Sequence, residues 1–518
     1  MKEWNISFNI LCLAFILVSN IGNARTLDDF ELPHSATLEL NRIQETYNIL
    51  DIVTDEIWPG WDNYRDFPFL LKFDNGLKLL IGHPSPPISY FNLNNNLIDG
   101  KHVYVDTTDY NKKDIDYPLQ CGGGIIYYGP EGKKVRTLDM RLTKVDSIKE
   151  RLPIEAYAES HILVYIHELF HCFTFDHIPL YYGNFLYNSD ENFATYSEIE
   201  GMALYNAVID TSESASLQFV KDFIHARKSK RKGMRPHHIA QESTNELMEG
   251  LAEYSELKTL MILPKSHRGV SRIQKDPYYN NFLNREKFYN KYLYRLKENA
   301  SKSFLNGIKL YDYGAFQAIL LDQFYPGWKQ QFTKENYLDS LLIKRIQVPE
   351  FDSNTLDAYF NSRYDLDLIK TNHSNNVKNR NELYKSIKSR KGKIYIISFK
   401  PVDQYIIDVP DKSIPKYQLG DSYLYPEGIG TINVDDVTID FIEEQMEIDQ
   451  LYFIKVVDTV KSQGAYPIIL YDKNVNNIFT NVQITTRQFK LIAPKVQLQE
   501  KGDRTKIYIL SKYKHNEE

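Results

Sequence analysis

His167, Glu168 and His171 form an HExxH pattern within Ser160-His-Ile-Leu-Val-Tyr-Ile-His-Glu-Leu-Phe-His-Cys-Phe173. On a helix, residues four apart share a face, so the two imidazoles can close on one Zn²⁺. Glu168 between them can take a proton from a water on the metal and pass it to a leaving group. The pattern therefore names a metal, a base and a reaction class, zinc-assisted amide hydrolysis. A helix can also carry two histidines for no chemical reason. Here Ile162, Leu163, Val164, Tyr165, Ile166, Leu169, Phe170 and Phe173 make the segment apolar nearly all round, which predicts a buried helix. Buried imidazoles and a buried carboxylate need partners, and one metal ion would satisfy all three.

A catalytic zinc usually has three protein ligands and one open position. His177 has the spacing HExxHxxGxxH, but Thr174 stands where that motif needs glycine for a sharp turn. The other two candidates are glutamates in Glu200-Gly-Met-Ala-Leu-Tyr205 and Glu249-Gly-Leu-Ala-Glu-Tyr254. In both, Gly and Ala could let a second helix pack closely on the HExxH helix. Metal histidines usually need a carboxylate behind them to fix tautomer and orientation. Glu249 has Glu253 at i+4, whereas Glu200 has Leu204 there. That difference favours Glu249 as ligand and Glu253 as the carboxylate behind a metal histidine, with Glu200 and His177 as alternative ligands.

At these residues the chain resembles the gluzincins, zinc peptidases with HExxH and a glutamate ligand on a later helix. The resemblance covers roughly residues 160–325. It implies a zincin-type catalytic core, one zinc per chain, and a carboxylate four residues past the ligand, as Glu253 would be. Aminopeptidase-like members carry a later Tyr-x-x-Gly-Ala segment whose tyrosine stabilises the oxyanion, and Tyr311-Asp-Tyr-Gly-Ala315 implies that role for Tyr311. The exopeptidase signature Gly-x-Met-Glu-Asn is absent, and Gly122-Gly-Gly-Ile-Ile126 stands in the corresponding upstream region. That departure puts amino-terminal specificity in doubt.

The elements that must position these residues read as an α+β chain of 518 residues. Residues 25–150 form a mixed α/β lobe. A helix pattern runs over Ser35–Ile57 and ends in Trp58-Pro-Gly-Trp61. Strand patterns follow at Phe69–Phe73, Leu77–Ile81 and Val103–Asp106, with Asp74-Asn-Gly76 as a hairpin turn. Gln120–Tyr128 reads as a glycine run entering an apolar strand. Residues 151–345 are mainly helical and carry the chemistry, and residues 346–390 form a polar linker or small subdomain. Residues 391–518 read as a β-sandwich-like accessory domain with strands at Lys393–Phe399, Tyr405–Val409, Ile432–Ile439, Leu451–Val457, Tyr466–Tyr471 and Lys506–Leu510.

Residues 1–24 read as a signal peptide, with the apolar run Ile10–Val18 and small residues near Ala24. No later segment reaches membrane-spanning length, so the mature chain is expected to be exported, periplasmic or secreted. Cys121 and Cys172 then remain, as one disulfide or as free thiols. Net charge is −6, which gives no electrostatic case for nucleic acid. The basic run Arg227–Arg235 reads as a solvated loop.

The leading expectation is an exported zinc metallopeptidase acting on a peptide or protein. One alternative is a non-catalytic zinc-containing protein that binds a partner through its C-terminal β-domain. Another is a zinc amide hydrolase with a non-protein substrate.

Overall fold

The computed structural model describes residues 30–111, 119–144, 157–175, 191–300, 307–333, 336–375 and 378, together with strand segments between 393 and 510. The chain is α+β, with helices, a mixed N-terminal sheet and a C-terminal set of strands.

Helix α1 spans His34–Ile57 and buries Leu38, Ile43, Tyr47, Leu50 and Val53, the predicted apolar face. It stops at Trp58, whose extended backbone is the conformation favoured before proline. Gly60 follows at φ 80°. The turn then packs on the HExxH helix, because Trp58 and Trp61 both set their rings edge-on to Phe170, at 5.7 and 5.0 Å.

Six strands form the N-terminal sheet: β1 (Phe69–Phe73), β2 (Lys78–Ile81), β3 (Phe91–Ile98), β4 (Lys101–Asp106), β5 (Leu119–Tyr128) and β6 (Val135–Lys144). Their order is β3-β4-β2-β1-β6-β5, so among the described residues β5 is an edge strand. All pairings are antiparallel except β1 with β6. The β1–β2 hairpin turns at Gly76, at φ 84°, where a β-carbon would also meet the Asp109 carbonyl at 2.1 Å. Strands β3 and β6 were not read from the sequence. Strand β3 does not alternate cleanly, since it carries Asn92, Asn94, Asn95 and Asn96. Strand β6 does alternate over residues 137–143, with Leu138, Met140 and Leu142 buried on one face, so its signal was available in the sequence.

The helices that matter to the site are α2 (Ala158–Thr174), α3 (Glu191–Ile209), α4 (Glu213–Arg231), α5 (Pro236–Ile262), α6 (Arg285–Ala300) and α7 (Gly307–Phe324). Helix α2 is buried nearly all round, as its composition predicts. One continuous apolar cluster runs from Ala36 in α1 through the sheet and helices to Ile369. Leu356, Phe360 and Tyr364 belong to it, so the described part of the polar 346–390 stretch packs on the helical body.

The reading of the basic run as a solvated loop is corrected as far as Arg231; Lys232, Gly233 and Arg235, past the helix end, are exposed as expected. Arg227 and Lys230 lie on α4 rather than in a loop, at 1% and 0% exposure. Arg227 is held by Glu200 and Glu246, and Lys230 by Glu200 and Glu242. The long stems bury while carboxylates from α3 and α5 meet the charges.

In the C-terminal region, strands at Lys393–Lys400, Phe453–Asp458, Ile468–Leu470 and Arg504–Leu510 fall where the sequence predicts them. Hydrogen bonding joins the strands there into one branched sheet, antiparallel but for Arg504–Leu510 against Lys393–Lys400. Tyr405–Val409 lies outside the described residues.

Candidate metal centre

Helix α2 presents His167 and His171, one turn apart, toward helix α5. From α5 Glu249 points back between them. His167 Nε2 and His171 Nε2 are 3.0 Å apart. Glu249 Oε2 lies 3.2 Å from His171 Nε2 and 3.6 Å from His167 Nε2. A tetrahedral zinc with bonds near 2.05 Å has ligand–ligand edges of about 3.3 Å. Those separations bracket that value, so the three atoms outline one face of such a tetrahedron. Two imidazoles and a carboxylate are also the donor set zinc accepts at hydrolytic sites.

The electrostatics fit mutual attraction across this triangle. Burial alone would raise the Glu249 carboxyl, yet hydrogen bonding to His167 and His171 holds it well below the usual range. Burial disfavours a charged His167, but Glu249 and Glu256 outweigh that and push its pKa well above the ordinary value.

The support behind His167 is Glu256, not Glu253. Glu256 Oε1 lies 2.7 Å from His167 Nδ1, and the Tyr292 hydroxyl of α6 donates to the other carboxylate oxygen. A proton on Nδ1 shared with Glu256 leaves Nε2 free for a metal. Glu253 instead binds Arg295, which also holds Asp312. Helix pitch explains the correction. At 3.6 residues per turn, seven residues return within about 20° of the starting azimuth, while four overshoot by about 40°. Glu256 therefore keeps the Glu249 face, and Glu253 swings toward α6 and α7. Spacing of i+7 was the signal available in the sequence.

Glu200 is not at this centre. It is fully buried between Arg227 and Lys230, a role set by charge balance in the helical core. His177 lies outside the described residues. The small residues of the two glutamate motifs also serve another contact. A β-carbon on Gly250 would meet the Cα of Gly314 at 2.4 Å, and one on Gly201 would meet Tyr313 and Ala300. Both glycines pack toward α6 and α7, not toward the HExxH helix.

The Gly250–Gly314 crossing brings Tyr311 to the metal cluster. Its ring stacks on His167 at 5.9 Å and 14°. Burial, then the neighbouring Glu249 carboxylate, raises its phenol pKa, so it remains a proton donor. Glu168, Tyr311, His171 and Glu249 line a solvent-open cleft of about 660 Å³ with Gly123, Gly124, Ile125, Thr174, Phe175 and Met248.

The wall formed by β5 offers backbone that is unpaired among the described residues. Leu138 N–H donates to Pro68 and Asp74 N–H donates to Leu142, so even-numbered β6 residues face β1. Odd-numbered ones face β5, where Arg141 pairs with Gly122 and Asp139 with Gly124. Cys121, Gly123 and Ile125 therefore turn their N–H and C=O groups to the outer edge, where no described strand lies. Cys121 and Cys172 are both free, and burial pushes both thiols up, away from the reactive thiolate.

The chain matches no protein-family model, no curated protein and no solved structure. The candidate site therefore stands on its own geometry. Among the described residues, no helix is long and apolar enough to cross a membrane.

Proposed function

We propose that this protein is a zinc-dependent metallopeptidase of gluzincin type, exported after loss of residues 1–24. The observation that carries the reading is the triangle of His167, His171 and Glu249 atoms beside an open cleft. An open cleft at the cluster favours catalysis over a closed structural site. A zinc ion held there would act as a Lewis acid toward a carbonyl and acidify a water.

The protein's own groups have distinct tasks. Glu168, in the cleft wall, takes a proton and delivers it to the departing amine. Tyr311, kept protonated, donates a hydrogen bond to the oxygen on which charge develops. The free β5 edge can pair with an extended chain through Cys121, Gly123 and Ile125, which favours a peptide over a non-protein amide. The C-terminal strands are read as an accessory domain built on one branched sheet.

Metal analysis of the purified protein, with a peptide-library digest of wild type and Glu168→Gln, tests the reading. We expect about one zinc per chain in both proteins. Glu168→Gln should lose hydrolysis by at least ~10²-fold. Wild-type protein that binds no zinc, or equal turnover by both proteins, would overturn it.

A further inference from the structure

We propose that His161 is a positioning residue that fixes the free edge of β5 over the metal centre, and so sets where an extended peptide pairs. The inference rests on the peptidase reading for its consequence, though not for its geometry. His161 lies six residues before His167 on α2, about 9 Å along the same rigid helix. It is fully buried, and its Nε2 lies 2.9 Å from the Leu119 carbonyl. A carbonyl only accepts, so Nε2 carries the proton. Leu119 shares the parity of Cys121, Gly123 and Ile125, so its carbonyl is the first rung of the edge left open by β6. His161 fills that rung in place of a neighbouring strand, and of the next three Gly123 and Ile125 line the cleft with Glu168 and Glu249.

The other side of the ring is held as firmly. Nδ1 lies 3.1 Å from Arg42 Nη1 and 3.0 Å from Glu39 Oε2. Arg42 can donate to a neutral Nδ1, and Glu39 can accept from a protonated one, so the Nε2 donor persists in either state. Arg42 is fixed in turn by Glu39 at 2.6 Å and Asp276 at 2.8 Å. Tyr165, also on α2, donates to Glu39 at 2.5 Å. None of these residues belongs to the metal cluster. Together they tie α1, α2 and the loop at Asp276 to the start of β5.

Hydrogen exchange of the full chain tests this, alongside zinc content and peptide kinetics. A His161→Gln side chain places an amide donor near the position of Nε2, whereas His161→Asn stops near Nδ1. In H161N, exchange across residues 119–125 should rise about tenfold, the scale of one lost buried hydrogen bond, and H161Q should restore most of the protection. Zinc stays stoichiometric in both. KM for a long peptide should rise about tenfold in H161N with kcat nearly unchanged, since the loss falls on binding at the edge. Tyr165→Phe, a milder change, should raise exchange over the same segment by a smaller factor. Equal exchange in H161N and H161Q, no change in Y165F, or a loss carried by kcat alone would overturn the proposal. Exchange reads the strand with or without turnover, so an inactive wild type would sink the peptidase reading and leave the anchor to be judged on exchange.

Discussion

Glu256 and Glu253 sit three residues apart on one helix, yet only one of them reaches His167. That difference yields a sharp test. His167→Ala, His171→Ala and Glu249→Ala each remove a candidate ligand and should abolish stoichiometric zinc. Glu256→Ala removes only the carboxylate behind His167. Its zinc affinity should fall by ~10–100-fold, with full occupancy recovered at excess metal. Glu253→Ala should leave zinc affinity near wild type, because Glu253 binds Arg295 instead. A zinc titration across these variants decides the order, and a Glu253→Ala protein weaker than Glu256→Ala would reverse it.

Two elements, α5 and α7, cross at glycine. A β-carbon on Gly314 would stand 2.0 Å from the Glu246 carbonyl, and backbone cannot yield as a side chain can. Gly314→Ala should therefore destabilise the fold by roughly 1–3 kcal/mol or more, read as a lower denaturant midpoint. It should also move Tyr311 off His167, lowering kcat while zinc is retained. The same helices hold a pH-sensitive pair. Burial raises Glu253 to about 8 despite Arg295, and burial raises Asp312 as well. The folded pair thus keeps a proton that an unfolded glutamate releases near 4.5. With more protons bound in the folded state, this contribution is complete below that value and is lost as pH rises toward 8. Urea midpoints at acidic and alkaline pH should show Glu253→Gln losing less stability on alkalinisation than wild type, by on the order of 2 kcal/mol. Identical slopes would remove Glu253 from the titration.

Across the whole molecule, a buried ionic network joins α3, α4 and α5. Glu200 accepts from Arg227 and Lys230, while Glu242 and Glu246 share the same two cations. Removing one partner strands the others without water, so Glu200→Ala should cost about 3–5 kcal/mol. Its folded fraction should still bind zinc, because the network lies apart from the metal cluster. Chemical denaturation beside metal analysis checks both halves. Loss of zinc at unchanged stability would restore Glu200 as a ligand.

What the sequence determined by itself is what local pattern encodes. The HExxH spacing put two imidazoles on one face, and the apolar surround of residues 160–173 required that helix to be buried. The α1 periodicity, its stop at Trp58-Pro59 and the Asp74-Asn-Gly76 turn are likewise local, and all lie where expected. The preference for Glu249 over Glu200 pointed to the glutamate that lies beside the histidines, although its supporting argument chose the wrong carboxylate. Tertiary structure decided everything that depends on which face meets which neighbour. Helix azimuth set Glu256 behind His167, and opposing carboxylates drew Arg227 and Lys230 of the basic run into the core. The rung that His161 fills exists only because β5 ends the sheet and α2 passes beneath its first residue. Residues 42 positions apart make that contact, and no periodicity within either segment encodes it.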